Sequence, residues 1–251
     1  MRTHLVIPDT QFGPGRSHSW LKGLGRLIRE REPDVIVQLG DWYDMSSLSS
    51  YDRGRRASEN RRVWKDIKAG NEACWFLEDL IWPSKIKRKY KPRMVFLLGN
   101  HEQRIERYLE DHAELEGVLS YQNLVMASWE THGFLKPVTI DGITYSHYFC
   151  RSGNGRVVQS KNGAPDARAM VQREQRSCTA GHLQGFSYYE HYTSNGRHQG
   201  LIAGSCYTHD ENYLTPQGTK YWRGVIWKNI RKPGEYDFER IGIEKLKEMS
   251  K

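Results

Sequence analysis

Metal-competent side chains recur along this chain, each just after a short apolar run. Asp9 and Gln11 follow Leu5-Val6-Ile7, and Asp41 and Asp44 follow Val35 to Leu39. Asn100 and His101 follow Met94 to Leu98, His147 ends Ile143 to Ser146, and His182 and Gln184 follow Cys178-Thr179-Ala180. Carboxylates, imidazoles and amide carbonyls are the donors that divalent cations take from proteins. A single Asp after a strand is more often a helix cap. Donors from five separate segments are hard to attribute to capping, and in open α/β sheets the ligand crevice lies outside the carboxyl ends of the strands.

The elements that must position these donors read as alternating strands and helices. Residues 5–7, 35–39 and 94–98 are short buried strands. Trp20, Leu21, Leu24, Leu27 and Ile28 share one face of a helix that Ser17 or Ser19 would cap and Pro33 would end. Val63, Ile67, Gly70, Cys74, Leu77 and Ile81 mark a long helix that stops before Pro83, and Ile105, Tyr108 and Leu109 mark another after the third strand. Parallel strands need helical crossovers, so this order points to a parallel α/β sheet. After Pro137 the pattern becomes a hairpin, residues 138–140 and 143–147 around a type I′ turn at Asp141-Gly142. Residues 151–163 read as a loop, 167–175 as a short helix, and 178–180, 201–203 and 221–230 as strands before a Lys/Glu-rich tail.

The segments Asp9-x-Gln11, Gly40-Asp41-x-x-Asp44, Gly99-Asn100-His101-Glu102, His147 and Gly181-His182-x-Gln184 resemble, in order and placement, the motif set of the calcineurin-like metallophosphoesterases. The usual form of that set is D-x-H, G-D-x-x-D, G-N-H-[DE], H and G-H-x-H. It spans residues 9–184, about seven-tenths of the chain, with Gly-Asn-His-Glu its most specific piece. The resemblance implies an α/β fold, a two-layer β-sandwich of mixed sheets flanked by helices (αββα), around two divalent metal ions. It implies Asp9, Gln11, Asp41 and Gln184 on the first metal and Asp41, Asn100, His147 and His182 on the second, with Asp41 the bridge. It further implies in-line attack on phosphorus by a hydroxide shared between the metals. His101 would stabilise the transition state and protonate the leaving oxygen, and Glu102 would orient His101 or simply sit as a first-turn acid of the following helix.

The chain departs from that pattern at Gln11 and Gln184, which stand where the family has histidine. Oxygen donors suit Mn²⁺ and Mg²⁺, whereas imidazole suits Zn²⁺ and Fe, so the expected first site is harder and favours Mn²⁺, with Mg²⁺, Zn²⁺, Ni²⁺ or Fe as alternatives.

The 251 residues fit a single domain, 1–251, with a basic helical excursion at about 45–92 that includes Arg53, Arg55, Arg56, Arg61 and Arg62 and the run Lys85 to Arg93. A net charge of +8 suits a polyanionic partner such as DNA or RNA, though solvated basic faces are common. Arg151, Arg156 and Lys161 are candidates to clamp a phosphate, and Trp42 and Tyr43 to stack on a base or line the pocket; His198 and His209 rank lower, and Tyr188, Tyr189, Trp222 and Trp227 read as core. Cys74, Cys150, Cys178 and Cys206 form neither a disulfide framework nor a zinc knuckle. No stretch reaches the ~18 apolar residues of a membrane span and no signal peptide is visible, so the expected place is the cytoplasm. The sequence therefore favours a phosphodiesterase acting on nucleic acid or a nucleotide. A phosphomonoesterase or protein phosphatase is the alternative enzyme. A binding module that keeps only the fold is the other class, and His101 speaks against it.

Overall fold

The computed structural model describes residues 1–52, 54–83, 89–151, 155–194, 196–210 and 220–251. Arg53, Lys85, Lys87 and Arg88 of the expected basic excursion lie outside them.

The elements in chain order are β1 (Thr3–Ile7), α1 (Leu21–Arg31), β2 (Val35–Gln38), α2 (Val63–Ile81), β3 (Arg93–Leu97), α3 (Arg104–Asp111), β4 (Glu130–His132), β5 (Val138–Ile140), β6 (Ile143–Ser146), α4 (Ala167–Glu174), β7 (Cys178–Ala180), β8 (Phe186–Thr193), β9 (Gly196–Ala203), β10 (Gly224–Lys232), β11 (Glu235–Gly242) and α5 (Ile243–Met249). They build two mixed sheets, ordered β11-β10-β1-β2-β3-β4 and β5-β6-β7-β9-β8. β1, β2, β3 and β4 run parallel, as do β6, β7 and β9.

The period-2 alternation of the strands explains the layers. Val6, Val35, Val37, Val95 and Leu97 point between the sheets and meet Ile140, Ile143, Tyr145 and Leu201 of the second sheet. Their neighbours Leu5, Ile7, Ile36, Met94 and Phe96 point the other way, under Leu21, Leu24 and Ile28 of α1, Leu77 and Ile81 of α2, and Leu246 of α5. Beyond the second sheet, Ala167, Met170 and Val171 of α4 pack on Cys178, Ala180 and Ile202. Strands buried on both faces read as unbroken apolar runs, which is why β1, β2 and β3 were legible. The expected αββα sandwich is the observed one.

Several local expectations change. α1 starts after Trp20, with no side-chain cap; Ser17 Oγ instead accepts from the Ser19 backbone N–H at 3.4 Å. The Lys/Glu-rich tail contains β11 and α5, because Tyr236, Ile241, Ile243 and Leu246 supply a buried face among the charges. The β8–β9 hairpin pairs Phe186↔Ala203 through Thr193↔Gly196, although half-buried β8 carries little apolar alternation. Within the basic region, Ile67, Ala73, Cys74, Leu77 and Ile81 of α2 lie in the core beside α1. The β5–β6 turn is as expected: Ile140↔Ile143 closes it, with φ of 48° at Asp141 and 77° at Gly142. The four cysteines are free. Among the described residues, no helix is long and apolar enough to cross a membrane.

Candidate metal centre

Because β1, β2 and β3 are parallel neighbours in one sheet, and β6 and β7 in the other, five strand ends open on one edge of the sandwich. The loops there are tied together. Thr10 and Gln11 donate their backbone N–H groups to Asp41 O at 3.1 and 2.8 Å, and Gly181 donates to His147 O at 2.9 Å. Gln11, Asp41 and His182 all sit at positive φ, 48°, 55° and 62°. Such backbone costs on the order of 1–3 kcal/mol per residue and is typical of functional sites. Two glycines explain how close the groups come. A Cβ on Gly99 would lie 2.1 Å from Asp41 Oδ1, and one on Gly40 would lie 2.6 Å from His147 Nδ1.

Asn100, His147, His182 and Asp41 converge. Asn100 Oδ1 lies 2.8 Å from both His147 Nε2 and His182 Nδ1, and His147 Nε2 lies 3.5 Å from Asp41 Oδ1. One ligand atom each from Asp41, His147 and His182 falls within 4.8 Å of the others. His147 donates its Nδ1–H to Leu39 O at 2.8 Å, which leaves the Nε2 lone pair for a metal. Burial, then the neighbouring His147, lowers the His182 imidazole to about 3, so it too is the neutral form a metal needs.

The other half is built of oxygen. Asp9 and Asp41 are both buried, and burial together with the Asp41 charge holds the Asp9 carboxyl well above its ordinary range. Gln11 is buried, and its side-chain oxygen has no hydrogen-bond partner. A buried carbonyl without a partner among the described residues, on a loop bonded to that of Asp41, is a donor that a hard cation can take. Gln184 is turned differently. Its carbonyl oxygen accepts from Tyr207 Oη at 2.8 Å, and its amide nitrogen faces Asp9 Oδ2 at 3.4 Å.

The surroundings of His101 revise one expected role. Glu102 does not orient His101. Its carboxylate is buried and accepts backbone N–H groups from Gly99 and Asp41 on one oxygen, at 2.7 and 3.0 Å, and from Tyr43 on the other, at 2.9 Å. It is a positioning residue that pins two motif loops to each other. Asp44 faces His101 instead, with Oδ1 3.5 Å from Nδ1, and is itself paired with Arg16 at 3.0 Å. Burial would raise Asp44, but His101, Arg16 and Arg104 outweigh it and hold the carboxyl at about 2. Arg104 was missed by sequence reasoning. Its Nη2 lies 3.0 Å from His101 Nε2, and its Nη1 donates to Asp44 O at 2.8 Å. Its spacing of three from His101 was the available signal.

With this geometry, the match of residues 3–217 to the calcineurin-like phosphoesterase family model is decisive. The chain belongs to the calcineurin-like phosphoesterases. It is 31% identical over 127 residues to the Gene 54 protein of Mycobacterium phage L5, a stretch covering 48% of this chain and 46% of that protein. The chain thus matches about half the length of that relative. A solved crystal structure superposes over 95% of this chain and 98% of its own with a TM-score of 0.39 and 11% identity, too loose a likeness to bear on the site.

Other expected contributors to this phosphoesterase lie away from its centre. Trp42 is not a substrate contact. It is 1% exposed, packs on Phe12 and donates its indole N–H to Gly70 O at 3.0 Å, so it has no face to offer. Tyr43 is equally buried and bonds Asn71. Arg151 and Arg156 are exposed on the loop after His147; Arg151 donates to Gln159 O at 2.7 Å and to Arg156 O through its backbone. Lys161 is exposed on the same loop. His198 pairs with His191 across β8–β9, and His209 stacks on Tyr207.

Proposed function

We propose that this phosphoesterase hydrolyses a phosphodiester of nucleic acid or a nucleotide, using two divalent cations with Mn²⁺ favoured. The observation that carries the reading is the meeting of Asn100, His147, His182 and Asp41 beside the oxygen-only set Asp9, Gln11 and Asp41. The nitrogen-bearing set would hold one cation and the oxygen set the other, with Asp41 shared and Gln184 joining if its amide turns from Tyr207. Cations bound there would neutralise the phosphate oxygens and lower the pKa of water to make a nucleophile.

The chain's own residues do the rest. His101 Nε2 lies 3.7 Å from Asp41 Oδ2 and faces the Arg104 guanidinium, which can only donate, so this nitrogen takes up a proton once Arg104 turns to phosphate and then delivers it to the leaving oxygen. Asp44 Oδ1 faces the opposite ring nitrogen at 3.5 Å and sets a negative charge beside it. Arg104 shares Nε2, and a phosphate oxygen entering the site takes over that guanidinium's hydrogen bond. A nucleic-acid substrate is supported by the net charge of +8, which suits a polyanion.

The test is turnover of bis-p-nitrophenyl phosphate against p-nitrophenyl phosphate by metal-free protein given Mn²⁺, Mg²⁺, Zn²⁺ or Ni²⁺. A higher kcat/KM for the diester with Mn²⁺ is expected. Preference for the monoester replaces the diesterase reading with a phosphomonoesterase, and inactivity with every metal leaves a binding module.

A further inference from the structure

A cavity of about 260 Å³ lies beside His101, lined among others by Ser47, Ser50, Tyr51, Arg104, Arg107 and Tyr108. Arg104 joins it to the catalytic group, since the same side chain lies 3.0 Å from His101 Nε2. Arg107 stands one helical turn on along α3 and lines the same cavity. The cavity therefore lies on the far side of Arg104 from the catalytic histidine. Neither Arg107 nor the serines have a part in the chemistry described above.

We propose that this cavity is a subsite for the part of the substrate next to the scissile bond, and that it selects a nucleotide carrying a second phosphate. Two guanidiniums on one face of α3 offer forked donors that match phosphate oxygens. Ser50 adds a hydroxyl suited to phosphate or sugar, and Asp111 puts one carboxylate on the same wall. Tyr51 stands at the mouth with 76% of its surface exposed, an aromatic face on which a base can stack. Two arginines against one carboxylate, with a largely exposed aromatic ring, suit a phosphorylated nucleotide better than an apolar or cationic ligand.

This inference rests on the phosphodiesterase reading, and its test separates the two. The Mn²⁺-loaded full chain is assayed on bis-p-nitrophenyl phosphate, on a dinucleoside monophosphate, and on the same dinucleotide with an added phosphate at either its 5′ or its 3′ end. The wild type should favour one of the phosphate-bearing dinucleotides by about tenfold or more, mostly in KM, the scale of a charge-assisted hydrogen bond. Arg107→Ala should collapse that ratio toward one, and Arg107→Lys should restore part of it by keeping the charge. A ratio that survives in Arg107→Ala, or that is already one in the wild type while bis-p-nitrophenyl phosphate is hydrolysed, overturns the subsite alone. No hydrolysis of any diester takes down the phosphodiesterase reading and the subsite with it.

Discussion

Glu102 Oε2 accepts the backbone N–H of Asp41 at 3.0 Å, and the residue so held stands at φ 55°. One buried carboxylate thus fixes the conformation of the residue proposed to bridge two metals. It also ties that residue's loop to Gly99, whose lack of a Cβ leaves room for the Asp41 carboxylate.

Glu102→Gln keeps the shape but sets an NH₂ group against backbone donors. It should lower metal affinity by about 10- to 100-fold, as loss of a group behind a ligand usually does. Stability should fall by about 1–3 kcal/mol for the unmet buried donors. Metal titration and urea unfolding of the variant check both. Wild-type affinity would show that the Asp41 loop holds itself.

Asp41→Asn removes the anionic group shared by both donor sets. Turnover should vanish and bound metal should fall, while the fold persists because the amide fills the same space. Metal content after dialysis, circular dichroism and diesterase activity decide it; a fully active variant would reject the metal assignment.

His101→Asn should retain metal and lower kcat by about 10²–10⁴, the usual worth of a general acid or base. Substrates with better leaving groups should suffer less, because they need less protonation. If metal content drops in step with kcat, His101 is itself a ligand.

Replacing oxygen donors by nitrogen should retune the first site. The double change Gln11→His and Gln184→His should shift the activity ratio from Mn²⁺ toward Zn²⁺ and raise the metal retained on dialysis. Gln11→His should carry most of the shift, because Gln184 is turned to Tyr207 and a histidine in its place meets the same hydroxyl donor. An unaltered ratio and unaltered content would mean that neither glutamine touches metal.

Away from the site, His4 is buried between Tyr145 at 2.7 Å and Asp141 at 2.8 Å, and burial lowers its pKa from 6.5 to about 4 despite Asp141. The folded chain holds that proton less tightly than the unfolded chain. Its contribution is therefore complete above about pH 6.5 and is lost as pH falls through about 4, up to about 3 kcal/mol in all. Urea midpoints between pH 7 and pH 4 should fall more steeply for wild type than for His4→Asn. Parallel slopes would remove His4 as the cause.

The sequence by itself determined the order of the donors and the core strands that deliver them. Apolar runs such as Val35 to Leu39 and Met94 to Leu98 admit one reading, buried parallel strand, and a polar residue just past such a run must emerge at the sheet edge. Gly40, Gly99 and the Asp141-Gly142 turn were legible for a similar local reason, since close approach or positive φ leaves few residue types. What only the tertiary structure decided are the partnerships across segments. Glu102 looked like the partner of His101 because it is adjacent in sequence; its carboxylate points into the Asp41 loop, and the charge that meets His101 comes from Asp44 on another strand end. Trp42 lies between two site residues, yet its ring packs on Phe12 in the core. Arg104 joins the site because one helical turn after His101 carries it back over the imidazole. Gln184 shares its motif with His182, but Tyr207, from beyond β9, takes its carbonyl oxygen. Such contacts depend on which side chain wins a shared space, and that competition is settled only when all the segments are packed together.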